Sequence, residues 1–171
     1  MKTTKTLFLL IVTLMTSIST YSQKFAYVDS DYILSKMPEF SQAEEKIDDF
    51  SKEWQSEIEL AYEEVEQMYR DYQSEQVLLT SEMKTKREEA IMEKEKSVQS
   101  LQQKYFGNNG DLYKKRQDLI KPIQDRIFDA VQQLAASNKY SIIFDASSDL
   151  IMLYSNPDLD KSDKVLELMG Y

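Results

Sequence analysis

The sequence predicts a mainly helical α+β protein, a long antiparallel helical hairpin standing on a small β-rich head. Three observations predict it. First, an apolar stripe runs from Phe40 through Ala43, Ile47, Phe50, Trp54, Ile58, Ala61, Val65, Met68 and Tyr72. Its steps are of three or four residues, which puts one narrow seam along a single helix of roughly 40 residues. Second, 30% of the 171 residues are charged, and glycine and proline number only three each. That is the composition of long solvated helices rather than of a compact globule. Third, short β-prone runs lie only near the two ends, at residues 24–29 and 140–155, so one end of the hairpin must carry the strands.

Composition also removes most chemistry. With neither histidine nor cysteine, zinc sites built on those ligands, thiol nucleophiles, disulfides and Ser-His-Asp triads are impossible. The three glycines, Gly107, Gly110 and Gly170, make no phosphate-cradling loop. A formal charge of -9 and a pI near 4.7 argue against a surface that grips nucleic acid or anionic lipid. Catalysis would need a carboxylate pair buried in the head, for which Asp29 and Asp145 are the candidates, and each is expected to end a strand. No enzyme activity, cofactor or metal is expected.

Residues 1–22 carry Lys2 and Lys5, the apolar run from Leu7 to Met15, and small polar residues up to Ser22. This reads as a secretory signal peptide cleaved near Ser22, since the apolar run falls well short of the roughly 20 residues that span a bilayer. Without Lys2 and Lys5 the 21 basic residues fall to 19 against 30 acidic, leaving a net charge of -11. The exported chain is expected to be soluble and to hold together without disulfides.

In the exported chain, residues 24–37 and 138–171 form the head and residues 38–137 the arm. KFAYVD reads as a strand, and a brief helix from about Ser30 to Lys36 follows it. Pro38 suits the first turn of the long helix. At the tip, near residues 78–82, Thr80 or Ser81 caps the returning helix while Leu78 and Leu79 close the turn. The return stripe, Met83, Ile91, Val98, Leu101 and Tyr105, is thinner and is crossed by Lys94. GNNG at 107–110 interrupts it, each glycine lowering helix stability by about 1 kcal/mol relative to alanine, so a bulge or short loop is expected, either a hinge at which the arm flexes or a rigid bulge. From Leu112 the apolar pattern widens through Leu119, Ile120, Ile123, Ile127, Ala130, Val131 and Leu134, with a kink at Pro122. YSIIFD and LIMLYS, at 140–145 and 150–155, read as a β-hairpin around ASSD. Asp160 or Ser162 then caps a last helix that Gly170 ends.

Charge supports pairing of the arms. Residues 38–79 hold 13 acidic and 3 basic residues, whereas residues 81–106 hold 5 and 6. An acidic outgoing arm thus faces a neutral returning one, although apolar seam packing must dominate. The head has too few residues for an independent core, so self-association is expected.

Four segments, KFAYVDSDYILSKMPEF, LLTSEMKTKR, DLIKPIQDRIFDAVQQLAASNKYSIIFDASS and LYSNPDLDKSDKVLELMG, together resemble the OmpH/Skp family of periplasmic chaperones, over residues 24–171. The resemblance implies a homotrimer whose heads join in a small β-barrel and whose hairpins project like tentacles around a cavity. In the family that cavity holds unfolded outer-membrane proteins without ATP. The best-known members are basic and this chain is acidic, so contact with lipopolysaccharide or membrane is not carried over.

Within that frame, Phe50, Trp54, Ile58, Val65, Met68 and Tyr72 are assigned to the hairpin seam. Tyr62, Tyr69, Met83, Met92, Tyr105 and Phe106 are candidates for client contact, because aromatics and methionines adapt to many shapes. Phe25, Tyr27, Val28, Ile127, Val131, Ile142 and Phe144 are assigned to the head and trimer interface. The alternative function is a periplasmic coiled-coil spacer or scaffold without chaperone activity.

Overall fold

The computed structural model describes residues 23–148 and 152–171; the signal-peptide reading lies outside the described residues. Strand β1 (Lys24–Val28) leads into helix α1 (Ser30–Ser35), whose first turn Asp29 caps by accepting the Tyr32 N–H at 2.9 Å. Pro38 opens the outgoing arm, α2 (Pro38–Glu75), in the first turn, where its missing N–H leaves no bond unmade. The chain turns at residues 76–80 and returns as α3 (Ser81–Phe106) and α4 (Asp111–Asn138). Strand β2 (Tyr140–Asp145) and helix α5 (Ser162–Met169) complete the head.

α2 packs against both α3 and α4, which makes the two returning helices one interrupted arm. Every residue of the predicted stripe on α2 is buried or half-buried. Ile58 and Val65 meet Val98 and Tyr105 in an arm cluster flanked by Trp54, Ala61 and Leu101. Thr80 caps α3, accepting the Met83 N–H at 3.3 Å, but Leu78 does not close the tip. Val77 and Leu78 are both 85% exposed, and only Leu79 is partly covered. A two-helix tip has no third layer against which to bury more. α4 runs through Pro122 as one helix.

The predicted β-hairpin is corrected. β2 pairs with β1, in parallel, with Phe25 opposite Ile142, Ala26 opposite Ile143 and Tyr27 opposite Phe144. A parallel pair needs a long crossover, and here the whole arm supplies it, returning the end of α4 beside the start of α2. Residues 149–151 lie outside the described residues, and Met152 to Ser155 form no strand. The other side of β1 is taken by Asp160, with the Lys161 N–H donating to the Tyr27 carbonyl at 2.9 Å.

The head packs a core that it shares with the base of the arm. Ile33, Met37 and Val165 are fully buried, joined by Val28, Ile127 and Leu134. The core forms because the first turns of α2 and the last turns of α4 belong to the head as much as to the arm. Val28 and Ile127 therefore lie inside the chain's own core, with Val131 packed on it.

The break at 107–110 exists for a steric reason. Gly107 and Gly110 both have negative φ, so neither needs glycine's left-handed freedom. A Cβ on Gly110 would lie 2.7 Å from the Tyr105 carbonyl oxygen and 2.9 Å from both the Lys104 oxygen and the Gly107 nitrogen. Gly110 is the N-cap of α4, a place where alanine is disfavoured, and overpacking of this kind costs about 1–3 kcal/mol more. We expect Gly110→Ala to lower the urea midpoint of the arm, followed by circular dichroism; an unchanged or raised midpoint would show that the break accommodates a side chain.

Candidate functional site

The arm presents two flanks beside its seam. On one, the hydroxyl of Tyr69 donates to Glu95 at 3.0 Å and that of Tyr62 to Gln102 at 3.4 Å. Tyr62 and Tyr69 are seven residues apart on α2, as are Glu95 and Gln102 on α3, so each pair lines up along its helix. Met92 precedes Glu95 by three residues and Phe106 follows Gln102 by four, which sets both on the same side of α3. All four apolar members, Tyr62, Tyr69, Met92 and Phe106, are exposed. A hollow of about 400 Å³ opens beside Phe106, lined also by Gln99, Gln102 and Gln103.

Two of the six predicted client residues fall elsewhere. Tyr105 is buried in the seam, stacked on Trp54 with ring centroids 4.7 Å apart and planes 5° from parallel, and its hydroxyl donates to Glu57 at 2.8 Å. It follows Val98 by seven residues, so the signal for a seam position was present. Met83 is exposed but lies on the opposite flank, in register with Ala90 and Ser97 rather than Met92. Of the predicted seam, Ile58 and Val65 are buried, and Phe50, Trp54, Met68 and Tyr72 are half-buried.

Tyrosine–glutamate hydrogen bonds recur along the hairpin. Glu95, Glu88 and Glu57 accept from Tyr69, Tyr72 and Tyr105, and these bonds hold the three phenols above the usual tyrosine range. Lys94 crosses the seam because Glu64 on α2 receives its ammonium group.

The second apolar surface is the outer face of the sheet. In β1, Ala26 and Val28 point to the core, so Phe25 and Tyr27 point out. Ile142 and Phe144 stand opposite them in β2 and are exposed. Phe25, Tyr27 and Phe144, with Met152, Tyr154 and Leu159, line a hollow of about 270 Å³. Leu153 and Tyr154 are 96% and 85% exposed. They were not singled out from sequence, because the run LIMLYS was read as a second hairpin strand.

The carboxylates of the head serve the backbone. Asp29 caps α1, and Asp145 accepts from the Ser30 N–H and the Ser147 N–H, each at 3.1 Å, and from both serine hydroxyls. Partial burial opposes ionisation of Asp145, but the bonds from Ser30 and Ser147 outweigh it and leave its carboxyl below the ordinary aspartate range. A depressed folded value means stability that is present above the unfolded value, about pH 4, and lost as pH falls through the folded one. Asp145→Asn should lower the head's urea midpoint near neutrality, and the gap from the parent should close as the solution is acidified. A gap that persists at low pH would mean that the carboxylate is not its source.

Among the described residues no group of acidic side chains is arranged to hold a metal ion, and no helix is long and apolar enough to cross a membrane. The family model described as outer membrane protein (OmpH-like) matches residues 24–169. The chain is a member of the OmpH-like family. Among solved structures, this OmpH-like chain is similar to that of a candidate outer membrane chaperone (OmpH-like) from Caulobacter crescentus CB15. The TM-score is 0.69 at 12% identity, covering 87% of this chain and 85% of the other. At that identity the likeness shows the fold, a long helical hairpin on a small two-stranded head. Among curated proteins none matches significantly. The OmpH-like family is one of chaperones.

Proposed function

We propose that this protein is an ATP-independent holding chaperone of the periplasm, exported by cleavage near Ser22, that binds unfolded outer-membrane proteins in a cavity between the arms of a homotrimer. The observation that carries this reading is the open arm flank on which Tyr62, Tyr69, Met92 and Phe106 stand exposed. Dispersed adaptable side chains suit weak binding of many sequences, where a tight pocket would trap one. The apolar outer face of the sheet supplies a surface for self-association. A spacer would continue its seam between chains, whereas here the seam joins α2 to α3 and α4 of one chain and both chain ends return to one head.

The test is whether the purified exported chain keeps an unfolded outer-membrane β-barrel protein soluble without ATP; a trimer that leaves the client to aggregate would make it a spacer. Replacing Tyr62 and Tyr69 together by serine should weaken holding by a few-fold, well below the ≥ 2 kcal/mol of a hot spot in a fixed interface. Because both hydroxyl bonds are exposed, helix content and sedimentation should stay at parental values. Unchanged holding by that variant would move the client face away from this flank.

A further inference from the structure

At the base of the arm α2 and α4 part over a groove of about 420 Å³, open to solvent along one side. Ile47, Leu112 and Ile120 give it an apolar lining, Glu44 stands on the α2 wall and Arg116 on the α4 wall, and Ser51 lies at its outer end. We propose that this groove takes the apolar side chains of an extended, unfolded polypeptide whose hydrophobic residues alternate. The proposal rests on the holding-chaperone reading and names where on the arm a client is gripped.

Size limits what enters. The volume lies at the lower end of the 300–1,000 Å³ typical of small-ligand pockets, room for a few side chains. Charge points to a peptide backbone. Among the described residues neither Glu44 nor Arg116 makes an ion pair or a side-chain hydrogen bond, so a carboxylate and a guanidinium stand free on opposite walls. An unfolded strand brings unpaired N–H and C=O groups that need such partners. An acyl chain brings neither and would leave Glu44 facing hydrocarbon.

Position supplies the length. Ser51 precedes Tyr62 by three helical turns and Tyr69 by five, on the same side of α2. At 1.5 Å per residue those tyrosines lie about 16 and 27 Å farther out, and ten extended residues span about 33 Å. One segment therefore reaches from the groove past both tyrosines. Segments of about ten residues with alternating hydrophobicity are what an unfolded membrane β-barrel offers. Alternate side chains of such a segment would enter the groove while the others face solvent.

The chain has no cysteine, so Ser51→Cys creates a single alkylation site at the groove mouth. The probe is a fluorescein-labelled ten-residue peptide alternating Phe and Leu with Ser and Gln, compared by anisotropy with a scrambled peptide of the same composition. The exported chain should bind the alternating peptide about fivefold more tightly than the scrambled one. Alkylating the Ser51→Cys protein with a naphthyl-sized maleimide should weaken binding about tenfold relative to the same variant before alkylation. Arg116→Glu, an exposed change that leaves helix content intact, should weaken it about threefold. Equal binding of the two peptides, or binding indifferent to alkylation, overturns the groove assignment. If the parent still holds an unfolded β-barrel protein in that case, the chaperone reading stands; if it holds none, both readings fall together.

Discussion

A Trp54→Ala variant should melt its outer arm ahead of its head, at a loss of about 2–3 kcal/mol. Fully buried Trp→Ala changes cost about 3–5 kcal/mol, and Trp54 is half-buried, which sets the lower figure. The ring nevertheless holds more than its own area. It lies between Tyr105, at 4.7 Å, and Phe50, at 5.5 Å, and such stacked pairs add about 0.5–1.5 kcal/mol each beyond burial. Lys115 sits over the Phe50 ring at 5.0 Å and Lys104 over Tyr105 at 4.9 Å. This stack fastens α2 to the last turn of α3, directly before the glycine break. The head and arm clusters are separate, so its loss frees the outer arm without emptying the head. Far-ultraviolet circular dichroism should then show two transitions where the parent shows one, with hydrogen exchange accelerated beyond residue 58 and unchanged around Val165. Trp54→Phe, which keeps a ring in the stack, should lose less than half as much. A variant with alanine that melts as the parent does would show that the break is held by something else.

The stack also explains what the sequence could and could not disclose. The α2 stripe was legible because a two-helix arm buries only one row of side chains, and a single row imprints its period directly. Thr80, Pro38 and Gly170 were legible because caps and first turns are local chemistry. The partner of β2 was not, since alternation identifies a strand and its buried face but leaves open which strand lies alongside. Gly110 misled for the same reason. Its low helix propensity is a local property, whereas its need for glycine comes from the Tyr105 and Lys104 carbonyls packed against it. Lys139 ends α4 in the left-handed region at φ 58, a place usually marked by glycine, so this helix end was legible only from the β-prone run that follows it. On the arm flank, spacing grouped Tyr62 with Tyr69. Met92 and Phe106 were candidates beside them, but only the hydroxyl bonds to Glu95 and Gln102, which set the rotation of α3 against α2, separate these two from Met83 and Tyr105.

Phe144→Lys should convert the proposed trimer to a monomer at micromolar concentration, seen by sedimentation equilibrium. Phe25, Tyr27, Ile142 and Phe144 form one apolar sheet face, and Met152, Tyr154 and Leu159 extend it. Among the described residues nothing pairs with the outer edge of β2. An exposed apolar face beside an open strand edge is a surface that invites another chain. In a closed trimer one substitution enters three times, and each uncompensated buried charge costs about 3–5 kcal/mol. Every 1.4 kcal/mol is a factor of ten in the equilibrium constant, so the shift far exceeds what assembly at micromolar concentration can absorb. The monomer should keep most of its helix, because Ile33, Met37 and Val165 are buried within one chain and do not depend on the partner. Holding of clients should fall with dissociation, since one arm encloses no cavity. The separation matters: Trp54→Ala should lose the arm and keep the assembly, while Phe144→Lys should lose the assembly and keep the arm. If the lysine variant sediments like its parent, the chains do not meet through this face, and the cavity between arms loses its structural basis.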